Sequence, residues 1–334
     1  MKVSKILFIL IMAMGTMISI SANSWFAMWM GLEINMLAII PIFSSQKNML
    51  SNESTIKYFI IQAMASMILL MAAISMLTLQ SFLNQQLSPW SNLMMNLALL
   101  IKMGAAPFHF WFPEVMEGLS WFNCLILMTW QKIAPMMLII INKMNLMLVS
   151  AVVMISLIVS VISAFNQVSL RKILAFSSIN HIAWMLVAGM VSQTIWLTYF
   201  AIYSLMNLNI TSMLQKTNSF FTTQLFNSMN SNKLNKLMFS MNFFSLAGIP
   251  PMIGFLPKWI LINSAYLEKL ELLTFSLIML TLIMIFVYLN LVVSSLTISL
   301  NENKLSPKTV KMNPTMDFIM VSSLVLMTLM FNPF

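Results

Sequence analysis

Long apolar runs separated by short polar segments make up most of the chain. A helix that crosses a bilayer needs about 20 mostly apolar residues, and on this rule the sequence predicts about eleven spans. They lie at about residues 3–22, 25–44, 56–79, 90–106, 119–140, 145–165, 172–191, 194–214, 236–256, 271–299 and 315–332. The polar segments between them include 45–53, 84–89, 217–233 and 301–314. This pattern predicts an all-α, polytopic membrane protein.

Composition agrees with this class and excludes several others. Hydrophobic residues make up 60% of the 334 residues and charged residues 7%, whereas a soluble chain carries about a quarter charged residues. The net charge is +9, yet no basic run exceeds two residues, so we expect no nucleic-acid partner. Two histidines and one cysteine, Cys124, do not form a metal cluster, and no Gly-rich phosphate loop is present.

One predicted span is interrupted by residues that break helices. Lys102 lies in its apolar run, and Gly104, Pro107, His109 and Pro113 follow. In lipid, a broken helix is tolerated only where protein or water covers the freed backbone groups. We therefore expect Lys102 to face an interior cavity, the alternative being a lysine that reaches the headgroups. His109 either relays protons or satisfies a freed carbonyl.

The same pattern of helix-breaking glycine and proline residues occurs a second time. Gly248, Pro251 and Pro257 repeat the spacing G-x-x-P-x5-P at an offset of 144 residues, and Lys258 follows them. Paired broken segments in two halves of a transporter indicate its ion site. Three matched positions also arise by chance, so the repeat needs further support.

A second pair of similar segments favours a duplication of the two halves. Residues 178–180, Ser-Ile-Asn, resemble residues 33–35, Glu-Ile-Asn, at an offset of 145. We predict a single antiporter-like transmembrane domain with a first repeat at about 1–140 and a second at about 145–299. A C-terminal helix at about 315–332 follows them.

Two charged residues fall within apolar runs. Glu33 lies near the middle of the second predicted span and Lys132 within the fifth. An ionised group at that depth costs about 2.5 kcal/mol or more, so such residues usually have a function or form a pair with an opposite charge. The structural alternatives are a protonated Glu33 in a helix–helix hydrogen bond and a Lys132 paired with a carboxylate. Pro135 predicts a break one turn after Lys132.

Two further features have simple structural explanations. Pro113 predicts the start of a short helix with Glu114 and Glu117 in its first turn, where carboxylates suit the helix dipole. Ser177 and His181 share one face of a span. Such a polar stripe either lines a water path or joins helices.

Five stretches together resemble subunit 2 of mitochondrial NADH:ubiquinone oxidoreductase, complex I. They are Gly31–Asn35, Leu100–Trp111, Thr129–Pro135, Leu170–Ser178 and Gly248–Pro251. The resemblance covers nearly the whole chain, and the 37 methionines and single arginine resemble an insect version. It implies a relation to cation/proton antiporters, with two inverted five-helix repeats that each contain a broken helix.

The resemblance also implies roles. Glu33 matches a buried glutamate, Lys102 its partner lysine, Lys132 a central lysine and Lys258 the lysine of the second broken helix. These four residues would form part of a hydrated polar axis for proton translocation in the mitochondrial inner membrane. From the residues alone, we expect any proton movement to pass through these four and His109. NADH, FMN, iron–sulfur clusters and ubiquinone would lie on other subunits. Expected partners are membrane-arm and accessory subunits and phospholipids such as cardiolipin.

Two other functions fit the same residues. The first is a free-standing cation/proton antiporter, because the axis residues do not separate it from a complex I subunit. The second is a membrane scaffold whose lysines only hold helices together.

Overall fold

The fold is helical throughout the part of the chain that the structure describes. The structure is a computed structural model and describes residues 3–45, 48–82, 88–142, 144–229, 233–250 and 252–297. Among these residues there is no strand, and one isolated antiparallel bridge joins Ser169 to Phe221. The predicted all-α class is therefore confirmed. The predicted span at 315–332 lies outside the described residues.

The helices fall into two compact units that divide within one helix, between Ile155 and Ser156. The first eight helices are α1 Val3–Ser21, α2 Trp25–Phe43, α3 Met49–Phe82, α4 Ser88–Met103, α5 Trp111–Gly118, α6 Trp121–Met128, α7 Trp130–Ile141 and α8 Leu146–Ala164. The remaining ones are α9 Leu170–Val191, α10 Gln193–Thr217, α11 Thr222–Met229, α12 Lys233–Ala247, α13 Phe255–Leu267 and α14 Glu271–Thr297.

Seven segments among the described residues are long and apolar enough to cross a membrane. They are Ser4–Ser21, Trp25–Phe43, Met49–Leu77, Trp121–Ile141, Leu146–Ala164, Leu170–Val191 and Glu271–Ser295. The predicted eighth span, in the 25-residue α10, is absent from this set. The predicted fourth and ninth spans are also absent, because their helices are short, with 16 residues in α4 and 15 in α12. Both helices end at a predicted break.

Three predicted boundaries are wrong. The ninth span does not continue to 256, because α12 ends at Ala247 and α13 begins at Phe255. The segment 217–233 is not only a loop, since it contains α11. The third span begins seven residues before the predicted 56, at Met49. Hydropathy misses this polar first part of α3, in which the serine and threonine hydroxyls bond to carbonyls three residues back.

The break predicted at Pro135 is also wrong. Pro135 lies inside α7, which continues to Ile141. Proline removes one N–H donor, and the loss of one backbone bond does not end this helix. The interruption lies at Thr129, between α6 and α7, and even there its N–H bonds to the carbonyl of Leu125 at 3.0 Å.

Glycines allow α1 and α2 to pack closely in the first unit. A Cβ on Gly31 would lie 2.6 Å from the backbone nitrogen of Ser19, and one on Gly15 would lie 2.8 Å from that of Asn35. α1 and α2 therefore cross with their backbones nearly in contact, as small residues allow in membranes. This crossing fixes the position of α2, which carries Glu33.

Candidate functional site

The first break ends α4 with a left-handed glycine. Gly104 has φ +74°, a conformation that costs other residues about 1–2 kcal/mol. Its N–H bonds to the carbonyl of Ile101 at 3.1 Å, and the N–H of Ala105 bonds to that of Leu100 at 3.1 Å. This pair of bonds is the Schellman motif, which satisfies the last carbonyls of a helix.

The second break has the same local geometry. Gly248 also has φ +74°, and its N–H bonds to the carbonyl of Ser245 at 3.0 Å. The N–H of Ile249 bonds to the carbonyl of Phe244 at 3.2 Å. The next helix, α13, begins at Phe255, 144 residues after the first residue of α5. The repeated G-x-x-P-x5-P spacing therefore corresponds to two helix breaks with matching backbone conformation.

Lys102 lies in the last turn of α4 and is 6% exposed. Its side chain lines a small cavity in the first unit, as the interior prediction required. Glu33, on α2, is near enough to Lys102 for an electrostatic interaction, but no ion pair joins the two within the described residues. The Oε1 atom of Glu33 is buried and has no hydrogen-bond partner there.

Four uncharged polar side chains form much of the rest of this cavity wall. Gln131 and Asn35 exchange two hydrogen bonds, of 3.0 and 3.3 Å. Tyr58 donates to Gln131 at 3.1 Å, and Gln62 donates to the backbone carbonyl of Lys102 at 3.1 Å. The sequence analysis did not select these residues, although Tyr58 and Gln62 lie one turn apart within an apolar run and so share a face.

Lys132 is buried deeper than the other lysines named above. It is 1% exposed, on α7. Its Nζ lies 5.8 Å from the centroid of the Phe112 ring, a distance at which a cation is attracted to an aromatic face. The structure thus places this lysine in the protein interior and not in a headgroup layer.

Lys258 reaches back to the second break. Its Nζ donates a 2.8 Å hydrogen bond to the carbonyl of Ala247, the last residue of α12. The same atom lies 5.5 Å from the centroid of the Trp184 ring. The half-buried Lys258 therefore stabilises the negative end of a broken helix.

His109 lies between α4 and α5 and is 7% exposed. Its Nδ1 is 3.3 Å from the carbonyl oxygen of Pro107, and its ring centroid is 4.4 Å from that of Phe110. Of the two roles predicted for His109, this geometry matches satisfaction of a carbonyl. A relay role stays a prediction.

The polar stripe of α9 joins helices of the second unit. The Nδ1 of His181 lies 2.9 Å from the hydroxyl of Tyr199 on α10, and its ring lies 4.8 Å from that of Tyr203. Ser177 donates to a carbonyl of its own helix, that of Leu174. The stripe therefore packs α9 against α10 through buried polar contacts.

Comparison with known proteins identifies a family and its fold. The family described as NADH:quinone oxidoreductase/Mrp antiporter matches residues 22–286. A chain of respiratory complex I from Thermus thermophilus with bound aureothin has a TM-score of 0.83 and 22% identity, over 98% of this chain and 77% of that one. A chain of the Mrp complex from Dietzia has a TM-score of 0.72 and 17% identity, over 85% of this chain and 59% of that one.

Sequence relatives are more specific. NADH-ubiquinone oxidoreductase chain 2 of Anopheles gambiae is 42% identical over 99% of this chain and 98% of its own length. The protein of the same name from Locusta migratoria is 43% identical over 90% of this chain and 87% of its own length. At this identity and coverage, the chain belongs to the NADH-ubiquinone oxidoreductase chain 2 family.

Proposed function

We propose that the chain is a membrane-arm subunit of respiratory complex I and helps to move protons across the mitochondrial inner membrane. The movement is coupled to NADH oxidation and quinone reduction. The observation that carries this proposal is the pair of matching helix breaks, each with a lysine in its immediate surroundings. Membership of the chain 2 family supports the assignment to complex I.

The chemistry of the site agrees with proton movement. A lysine in an apolar interior is costly as a cation, so it gains and loses a proton in response to nearby charge. Lys102 has Glu33 as such a charge and a polar cavity beside it. Lys132 lies over an aromatic ring, and Lys258 donates to a helix-end carbonyl; either group favours a cation less than a carboxylate would.

We further propose the arrangement that the resemblance implies. The chain has about eleven spans, with inverted repeats at about 1–140 and 145–299 and a last helix at about 315–332. The breaks fall in the predicted fourth and ninth spans, so an odd number of crossings separates them and the second half runs in the opposite direction. The matching glycine caps support this duplication.

The redox chemistry belongs elsewhere in this proposal. NADH, FMN, iron–sulfur clusters and ubiquinone bind to other subunits of the complex, and this chain contacts membrane-arm and accessory subunits. Phospholipids such as cardiolipin cover its apolar outer surface. Exposed apolar side chains on α1, such as Leu10 at 60% and Met17 at 64%, fit contact with lipid or a neighbouring subunit.

Substitution of Lys102 tests the proton role. In membranes that contain the assembled complex, Lys102→Met should lower the protons moved per NADH oxidised, because methionine cannot carry a proton. Assembly is checked by native electrophoresis and by NADH oxidation with an artificial acceptor. An assembled variant that moves protons normally would instead favour a scaffold role.

A free-standing cation/proton antiporter is the second candidate. The fold likeness to the Mrp complex chain favours it, but that likeness is at 17% identity and shows the fold alone. Isolation of the protein from native membranes distinguishes the two candidates. A large assembly with redox activity supports the first, whereas a small oligomer without it supports the second.

A further inference from the structure

An uncharged hydrogen-bond cluster stands beside Lys102 and joins four helices. We call Asn35, Tyr58, Gln62 and Gln131 the amide cluster. Asn35 comes from α2, Tyr58 and Gln62 from α3, and Gln131 from α7. Through Gln62 the cluster also holds the carbonyl of Lys102 at the end of α4.

Gln131 is the centre of this cluster. Its Oε1 accepts hydrogen bonds from Tyr58 at 3.1 Å and from Asn35 at 3.3 Å, and its Nε2 donates to Asn35 at 3.0 Å. Asn35 and Tyr58 are 3% and 2% exposed, so solvent does not replace these bonds. Removal of the Gln131 amide would leave both partners buried without their bonds to it.

The amide cluster lines the cavity that Lys102 also lines. This cavity has a volume of about 10 Å³ open to the centre of a water molecule, close to the least that holds one water. Its wall contains the whole cluster with Leu32, Met36 and Pro135, and none of the described residues that line it is a carboxylate.

A neutral wall has a different effect on Lys102 from that of a carboxylate. Amide and hydroxyl groups hydrogen-bond to an amine or an ammonium, so they do not hold the lysine in its charged form as a direct ion pair would. They also fix the distances between α2, α4 and α7, on which Glu33, Lys102 and Lys132 stand.

We propose that Gln131 is a positioning residue for proton transfer at Lys102, acting through the amide cluster. It keeps the cavity wall neutral and ordered, and it holds α2 and α7 at the spacing that Lys102 needs. This inference rests on the proposed function and adds to it residues that carry no proton themselves.

Isosteric and reciprocal substitutions test the proposal in the assembled complex. Gln131→Met keeps the side-chain length but removes the amide, so Asn35 and Tyr58 both lose a buried hydrogen-bond partner. We expect the rate of NADH-driven proton pumping to fall about tenfold or more. The double variant Asn35→Gln with Gln131→Asn exchanges the two amide side chains, so one long and one short amide still face each other. It should recover much of the pumping that Gln131→Met loses. Gln167→Met is the matched control, because the amide of Gln167 donates to Ser163 within its own part of the chain.

The outcomes separate this proposal from the proton role of Lys102. Normal pumping by Gln131→Met, together with lost pumping by Lys102→Met, would overturn the positioning role alone. Failure of the reciprocal swap to exceed the single variant would also overturn it. If Gln131→Met does not assemble, Tyr58→Phe replaces it, since only one hydroxyl is lost, and unchanged pumping there would contradict the proposal.

Discussion

Lys102, Lys132 and Lys258 share a residue type but have different partners. Lys102 lines a polar cavity, Lys132 lies near an aromatic ring, and Lys258 donates to a helix-end carbonyl. The electrostatic energy of a buried cation depends on such neighbours. Equivalent substitutions at the three sites should therefore have different effects on proton movement.

Lys132→Met is expected to impair proton pumping while the complex still assembles. Methionine retains the apolar stem of a residue that is 1% exposed, so packing is preserved while the proton carrier is lost. Proton release per NADH oxidised measures the effect. Lys57→Met is the control, because Lys57 makes exposed ion pairs with Glu53 and Glu114, and normal pumping by assembled Lys132→Met would contradict the prediction.

Glu33 and Lys102 should show energetic coupling in a double-mutant cycle. Their charges interact without an ion pair among the described residues, and removal of one leaves the other uncompensated in a poorly hydrated site. Rates of coupled turnover in Glu33→Gln, Lys102→Met and the double variant supply the measurement. We expect the double variant to lose less than the two single losses combined, whereas strict additivity would show that the residues act independently.

At the scale of elements, two glycine residues determine where the broken helices α4 and α12 end. Gly104 and Gly248 both have φ +74°, and each stops its helix with the same two bonds. Glycine adopts this conformation at lower cost than any residue with a Cβ. The broken ends of α4 and α12 therefore depend on single residues.

Gly248→Ala should displace Lys258 as well as strain the backbone. The new Cβ would lie 2.8 Å from the Nζ of Lys258, so the ammonium must leave the Ala247 carbonyl. Gly104→Ala is the matched control, with the same φ and about the same 1–2 kcal/mol strain, but with Trp111 and Phe112 as neighbours. Thermal inactivation should shift similarly in both, while a structure of each shows Lys258 moved only in the first. An unmoved Lys258 in Gly248→Ala would refute this account.

The crossing of α1 and α2 yields a prediction about assembly. Gly31→Ala would place a Cβ 2.6 Å from a backbone nitrogen of α1, and backbones separate less readily than side chains move. We expect a loss of about 1–3 kcal/mol, seen as a lower yield of assembled complex. Leu37→Ala, on the exposed side of α2, should have little effect, and equal yields for the two variants would argue against the close crossing.

The sequence predicted the helices well where apolar runs are continuous and poorly where local backbone geometry decides. The bounds of α1, α2 and α8 agree with prediction within about a residue. The end of α12 does not, because the bonds of Gly248 override the apolar run that follows. Lys102 and Lys132 were evident as charges in apolar runs, whereas Gln131 was not, because an amide at one position gives no sign of its partners on other helices.

At the scale of the whole molecule, the two breaks share a backbone conformation but differ in the positions of their charged residues. At the offset of 144 residues, Lys102 corresponds to Leu246 and Lys258 to Glu114. The first break thus has its lysine before the glycine, and the second has it after the second proline. Duplication of the breaks alone does not duplicate a proton site, so each half requires its own side-chain partners.

This asymmetry argues that the chain works within an assembly. The ionisable groups Glu33, Lys102 and Lys132 all lie in the first unit, and Lys258 alone of the proposed lysines lies in the second. Neighbouring subunits would then complete a charged path that this chain supplies only in part, and redox energy would come from them. An antiporter, in contrast, needs a complete path of its own.

Reconstitution of the chain into lipid vesicles tests this difference. Without the rest of complex I, we expect no proton uptake when a sodium or potassium gradient is imposed, as followed with a pH-sensitive dye inside the vesicles. Intact complex I in the same vesicles should acidify or alkalinise the lumen on addition of NADH and a quinone, and Lys102→Met should reduce that signal. Cation-driven proton exchange by the isolated chain, abolished by Lys102→Met, would instead establish an antiporter whose polar path is complete within one subunit.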